Sequence, residues 1–444
     1  MATARKTIVN ICRVLLALTF IFSGYVKAID PLGTLYKLQD YQEAVGLTGG
    51  APDWALLVVA VLLAALEFCL GMFLLFAIRR RQGSRLMVAF MVVMTAITVW
   101  LAVANPIKDC GCFGDAIHLS NSQTLLKNIV LLACSIIVAW KPLDMFRFVS
   151  KSTQWIVINY TILFILISSG YSLYHLPQFD FRPYHIGADL RQGMAIPADA
   201  PKPEFNTTFV LEKNGVRKEF TLDNYPDSSW TFVESKTVQT RAGYEPPIHD
   251  FSIEETSTGE DITERLLERK GYTFLLISPH LEHADDAHFG EINEVFDLTD
   301  NGKRYPFFCL TASGKQGIER WIDLTGAEYP FCTTDETTLK TIIRSNPGLV
   351  LLKNGRVVNK WSHNDLDNVV AQLKDANGNL IPLEDSKLGQ TPADNVPMKI
   401  LHVVLWFALP LFLLTLADRL WAWTQWLKRK EQSNKIYQLL NRKK

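Results

Sequence analysis

The sequence predicts a polytopic α-helical membrane protein bearing an α/β extramembrane region and a small β-hairpin segment. Three observations lead there. Apolar residues gather in blocks near both ends of the 444-residue chain. A long stretch between the fifth and sixth blocks reads as ordinary soluble sequence. The basic residues flanking the blocks fall on alternate connections. Hydrophobic content of 48% with zero formal net charge fits this class and offers no basic surface for nucleic acid.

The blocks lie at about 8–28, 54–78, 86–104, 123–140, 154–174 and 399–420, each near the ~20 residues a helix needs to cross a bilayer. No small-residue cleavage site of the Ala-x-Ala type follows the first block, so it reads as a retained anchor. Arg5 and Lys6 precede the first span, and Arg79, Arg80, Arg81 and Arg85 separate the second and third. Lys141, Arg147 and Lys151 separate the fourth and fifth, and Lys428, Arg429 and Lys430 follow the sixth. The positive-inside rule then puts both termini in the cytoplasm and residues 175–398 outside. For a bacterium with a periplasm, that is the outer side of the inner membrane and an oxidising compartment.

Asp109-Cys110-Gly111-Cys112-Phe113-Gly114-Asp115 stands at the outer end of the third span. Two thiols separated by glycine close a disulfide only across a tight turn, and a ring that small is strained and exchange-prone. Lys27, Lys127 and Asn128 fall at the same interface, with His118 just beyond the heptapeptide; cationic neighbours favour the attacking thiolate. The same residues permit a metal reading, with Cys110, Cys112, His118 and Asp115 as four ligands, although Cys-x-Cys is an unusual zinc spacing. Glu67 lies 14 residues into the second span, roughly 21 Å below the outer face, where a carboxylate needs a partner. Arg13 enters the first span from the other side to a similar depth, and a Glu67–Arg13 ion pair is expected. It would serve as a bundle lock or as part of a proton or quinone site. Cys12, Cys69 and Cys134 within the spans read as packing residues.

Outside the membrane, Phe205–Glu212 and Arg217–Leu222 flank Lys213-Asn214-Gly215, a hairpin signal, and a strand is expected over Trp230–Val238. Beyond the linker Tyr244-Glu245-Pro246-Pro247, helices are expected at Ile262–Lys270, His283–Leu298 and Thr337–Arg344. Strands are expected at Tyr272–Ser278, Phe307–Thr311, Gly348–Lys353 and Arg356–Trp361. Helices between apolar strands argue for an α/β layer fold. The division is therefore a bundle over 1–150, a fifth span over 151–175, a β-rich region over 187–243, an α/β domain over 244–390, a sixth span over 398–426 and a basic tail over 427–444.

The α/β region resembles the thioredoxin-like fold of the peroxiredoxin and TlpA branch. His249-Asp250-Phe251-Ser252-Ile253 with Gly259-Glu260-Asp261-Ile262 is similar to that branch's first hairpin, and Asn346 through Gly355 is similar to its cis-proline segment. The resemblance implies that Pro347 is cis and that a dithiol follows the first central strand. Here Pro279-His280-Leu281-Glu282-His283 stands in that place, without a cysteine, so the domain is expected to bind rather than to exchange disulfides. Cys309, in a strand, and Cys332, in a loop, are left open as a structural disulfide, two free thiols or an accessory exchange pair.

Phe22-Ser23-Gly24-Tyr25-Val26-Lys27-Ala28-Ile29-Asp30-Pro31, Lys37-Leu38-Gln39-Asp40-Tyr41, Glu67 with Gly71, and the Cys-Gly-Cys-Phe-Gly-Asp run resemble the DoxX and MauE families of four-helix membrane proteins. MauE-like proteins are linked to disulfide formation in exported enzymes beside a thioredoxin-like partner; DoxX-like proteins are linked to electron transfer from thiosulfate to quinone. The resemblance implies thiol–disulfide exchange at Cys110 and Cys112, supported by Asp109, Asp115, His118, Lys27, Glu67 and Arg13, with quinone as a possible cofactor. The expected partners are the bilayer and a periplasmic thioredoxin-like or client protein. The rivals are a non-catalytic envelope scaffold and a metal-handling membrane protein.

Overall fold

In the computed structural model the described residues are 2–441, excepting 48, 108, 203, 214, 222, 223, 228, 242, 300–303 and 393–395. The membrane region comprises α1 (Ala2–Ile29), α2 (Pro31–Ala44), α3 (Asp53–Leu75), α4 (Arg80–Ala104), α5 (Asn121–Trp140) and α6 (Gln154–Tyr174). A far later α13 (Val396–Asn441) returns to it. Six helices, all of these except α2, are long and apolar enough to cross a membrane. Their termini follow local chemistry. Asp30 caps α2, accepting from Gly33 N, with Pro31 preset for the first turn, and Ser120 with Gln123 forms a capping box on α5.

Helices α1 and α3 approach closely because glycines lie between them. A Cβ on Gly24 would sit 2.4 Å from Phe68 N, and one on Gly71 would sit 2.8 Å from Ile21 N. This contact sets the vertical register of the bundle. Below it, Leu16, Ala17, Phe20, Leu70 and Leu74 pack with Met87 and Met91 of α4 and Leu131 of α5. Beside it, Phe68, Phe164 and Phe407 join α3, α6 and α13. Asp418 of α13 accepts from Ser150 and Thr153 ahead of α6.

After α6 come α7 (Leu190–Met194) and a three-stranded antiparallel sheet of β1 (Glu204–Lys213), β2 (Val216–Thr221) and β3 (Thr231–Arg241), ordered β2-β1-β3. Residues 214 and 222 of the expected hairpin lie outside the described residues. The α/β domain follows as β4 (Glu254–Glu255), α8 (Thr263–Glu268), β5 (Tyr272–Ser278), α9 (Phe289–Leu298), β6 (Phe307–Thr311), α10 (Lys315–Thr325), β7 (Phe331–Thr333), α11 (Glu336–Ile342), β8 (Gly348–Lys353), β9 (Arg356–Ser362) and α12 (Leu366–Leu373). Its sheet runs β4-β7-β6-β5-β8-β9, with β5, β6 and β7 parallel and β8 and β9 antiparallel. The path β5-α9-β6-α10, then β7 and α11, then β8-β9-α12, with a cis Asn346–Pro347 bond ahead of β8, contains the thioredoxin-like arrangement. Every residue of β5 is buried, as a central strand covered on both faces requires.

Several expectations change. The helix expected over His283–Leu298 begins only at Phe289, after a separate short turn at Leu281–His283. Cys332 lies in β7, not in a loop. In the β6–β7 register Cys309 faces Phe331 and Leu310 faces Cys332. Side chains alternate faces along a strand, so the two thiols point to opposite sides of the sheet. Cys309 packs with Phe307 and Tyr329, and Cys332 packs with Leu310 and Ile253, in two separate cores. They are two free buried thiols. Burial among apolar side chains holds the Cys309 thiol well above its ordinary range and pushes Cys332 up to about 12.

Candidate functional site

The cysteine loop folds back toward the bundle and rests on α1, α2 and α3. Gly111, at φ +65°, supplies the left-handed residue of the turn, and a Cβ there would strike the Lys37 side chain at 2.8 Å. The turn brings Cys110 Sγ to 2.7 Å from Cys112 Sγ. Asp109 ties the loop locally: it accepts from Gly111 N at 3.1 Å, pairs with Lys37 at 3.0 Å and meets His118 Nδ1 at 3.3 Å. Tyr41 of α2 donates to the Cys110 carbonyl at 3.1 Å.

The Cys112 carbonyl is held from below. Lys27 Nζ donates to it at 2.8 Å, and Ser23 Oγ lies 2.6 Å from it. The same ammonium pairs with Glu67 at 2.7 Å, and Ser23 Oγ is also 2.6 Å from Glu67. Lys27 and Glu67 are 6% and 3% exposed, so each charge depends on the other for solvation. The expected Glu67–Arg13 pair is thus corrected. Glu67 takes Lys27, while Arg13 donates to the Phe146 carbonyl at 2.5 Å and lies over the Phe148 ring. Lys27 is not a snorkelling residue but the buried counter-charge of Glu67.

The thiols are electrostatically unequal. The hydrogen bond from Cys112 is the main influence lowering Cys110, against the opposing effect of burial. Tyr41, Lys127 and Lys27 add to it, and the Cys110 thiol falls well below the ordinary thiol range. The same contact and burial hold Cys112 far above that range. The contact favours the thiolate at Cys110 over that at Cys112. Cys110 is 7% exposed, whereas Cys112 keeps partial exposure.

Two residues of the proposed metal set turn elsewhere. His118 is exposed and pairs with Asp109, and Asp115 pairs with Arg344 of the α/β domain at 3.2 Å. Among the described residues the metal-spaced cluster is His288, which caps α9, with Glu291 of α9 and Asp367 of α12, far from the cysteines in sequence. Lys127 lies 4.2 Å above the Phe113 ring, and Asn128 bonds Thr98.

Arg344 is a residue beside the cysteine loop that the sequence did not reveal. It follows α11 and comes two residues before Asn346–Pro347, yet its guanidinium reaches both Asp30 carboxylate oxygens at 3.0 Å as well as Asp115. It is 6% exposed and stacks on Tyr36 with Lys340. Burial alone would raise Asp30, but Arg344 and then Arg182 outweigh it and hold the carboxyl below its usual range. The cis-proline corner of the α/β domain is therefore docked against the cap of α2 and the cysteine loop. Lys360 and Arg182 converge on Asp180 nearby, at 2.9 and 2.7 Å.

Residues 5–141 match the family model of the methylamine utilisation protein MauE. The two glycines, Lys27, Glu67 and both cysteines of the site fall inside the MauE-like region. Of the two families the sequence resembles, this is the one matched. Residues 205–242, covering β1 to β3, match a domain of unknown function, DUF8463. No curated protein matches the chain. One similar solved structure is that of a Bacteroides thetaiotaomicron protein provisionally described as a disulfide isomerase. It is 15% identical, with a TM-score of 0.22, over 28% of this chain and 83% of that one.

Proposed function

We propose that the MauE-like bundle performs thiol–disulfide exchange at Cys110 and Cys112 on the outer face of a bacterial inner membrane. The observation that carries this reading is the 2.7 Å thiol pair with one sulfur acidified and the other not. A thiolate leaves a disulfide faster the lower its pKa, so an incoming client thiolate attacks Cys112 and expels Cys110. The partial exposure of Cys112 suits that role. The client's second thiol then releases Cys112, leaving the client oxidised and the pair reduced by two electrons. Lys27, Ser23 and Glu67 act as positioning residues through the Cys112 carbonyl, and Tyr41 does so through that of Cys110.

The orientation is supported by the basic clusters at Arg79–Arg81, at the start of α4, and at Lys428–Lys430, beyond the apolar part of α13. The thioredoxin-like domain shares the cysteine face and carries no dithiol, which favours a docking role toward a client or a separate thioredoxin-like protein. The test is exchange between the purified full-length protein and a soluble dithiol, followed by alkylation and peptide mass analysis. The expected result is a Cys110–Cys112 bond that is reduced and re-formed, and abolished in Cys110→Ser and Cys112→Ser. A soluble dithiol that leaves the pair unchanged, with function intact in both variants, would favour the scaffold reading.

A further inference from the structure

The segment that stands in place of the expected dithiol is rich in metal-type donors. His280, His283 and His288, a third of the chain's nine histidines, fall close together and are interleaved with Glu282, Asp285 and Asp286. Beyond the turn at Leu281–His283 the chain enters α9, where His288 and Glu291 lie one turn apart on the same side. Helix α12 packs against α9 and brings Asp367 to them. One ligand atom from each of His288, Glu291 and Asp367 comes within 4.8 Å of the other two. A second imidazole, His363, stands at the turn leading into α12, with its ring centroid 6.1 Å from that of His288.

We propose that His288, Glu291, Asp367 and His363 bind a divalent transition metal of the zinc class, which fastens α9 to α12. The inference is independent of the exchange reading, since none of the four ligands is a thiol.

Three observations favour a bound cation over an ordinary charged surface. The first is charge. Among the described residues neither Glu291 nor Asp367 pairs with a lysine or arginine, whereas Glu336, beside His280, takes Lys340. The second is spacing. His288 Nδ1 stands 3.6 Å from Glu291, longer than a hydrogen bond, and two ligands of a tetrahedral zinc stand about 3.4 Å apart.

The third is the way His363 is held. The Ser345 hydroxyl donates to the Pro347 carbonyl at 2.5 Å and lies 2.9 Å from His363 Nδ1. Its one proton is thus used, so Nδ1 carries the ring proton and Ser345 accepts it. Nε2 keeps its lone pair, and the Asp285 carboxylate 3.7 Å away has no proton to offer it. A ring fixed through one nitrogen with the other open is how metal-binding histidines are presented. Imidazoles mixed with carboxylates suit zinc and its neighbours, whereas magnesium and calcium take oxygen ligands.

The experiment uses the full-length protein in detergent, without an affinity tag and stripped by a chelator. Calorimetric titration with zinc chloride is run on the Cys110→Ser/Cys112→Ser form, so that the loop thiols cannot bind. One ion per chain at micromolar affinity or tighter is expected, with a raised unfolding temperature. His288→Ala, Asp367→Ala and His363→Ala in that form should each weaken binding by at least about 100-fold, since losing even a residue that only orients a ligand costs about 10–100-fold. The first equivalent of cobalt(II) on the wild type should show nitrogen and oxygen ligation alone, a readout that needs no variant to fold. A thiolate-to-cobalt band in that first equivalent places the metal at the cysteines and overturns the proposal. Saturation only at millimolar zinc, or unchanged affinity in any of the three ligand variants, overturns it as well.

Discussion

Outside the spanning helices the chain holds two pairs of neighbouring cysteines, and one of them has its two sulfurs in contact. In the thioredoxin-like domain Cys309 and Cys332 sit on hydrogen-bonded strands, yet the sheet sends them into separate cores. In the membrane loop one glycine turn sets two thiols 2.7 Å apart beside buried charge. Proximity along a sheet is thus no substitute for a shared face. The α/β domain contacts the cysteine loop through Arg344 and Asp115, and under the proposed function the chemistry belongs to that loop.

The contrast can be broken most severely at the loop. Cys110→Ser or Cys112→Ser should reduce exchange on the order of 10³-fold or more, whereas Cys309→Ser and Cys332→Ser should leave its rate within about twofold. Assays of all four variants against one dithiol decide this. Next in size is the buried pair. Glu67→Leu leaves Lys27 unpaired and should destabilise the bundle by about 3–5 kcal/mol, and Lys27→Met with Glu67→Leu should recover much of it. Thermal unfolding in detergent measures both.

Arg344→Ala should weaken domain docking by about 2–3 kcal/mol, seen as faster hydrogen exchange in α2 and the cysteine loop. Because the Asp30 carboxyl is held below its unfolded value, this contact is complete above about pH 4. It is lost as the pH falls through the lowered value. A docked state unchanged at acid pH would count against it. The smallest effect should come from Arg217→Ala, which removes an exposed pair with Glu212 and should cost about 0–1 kcal/mol.

Much of the frame was legible. Continuous apolar runs marked β5, β6 and β8, hydropathy marked the spans, and Cys-Gly-Cys marked the loop, because each signal is local. The partner of Glu67 was not legible. Counting depth from helix ends assumes that the ends are level. The Gly24 and Gly71 contacts show instead that α1 stops roughly 13 Å short of the start of α3, where the Asp30-Pro31 break hands over to α2. That offset lifts Glu67 to Lys27 and away from Arg13. Arg344 could not be read at all, since its partners Asp30 and Asp115 are 314 and 229 residues away. Helix α2 carried a local signal, the Asp30 cap before Pro31, within a stretch too weakly apolar to count as a span.

The most direct test is the pH dependence of alkylation at each thiol of the reduced pair. Cys110 is expected to react well below the ordinary thiol range of about 8.5 and to stop only as the pH falls through its lowered value, while Cys112 stays inert to much higher pH. Cys112→Ala should return Cys110 toward that ordinary range. Identical profiles for the two thiols, both near the ordinary value, would contradict the account and leave the loop a structural turn.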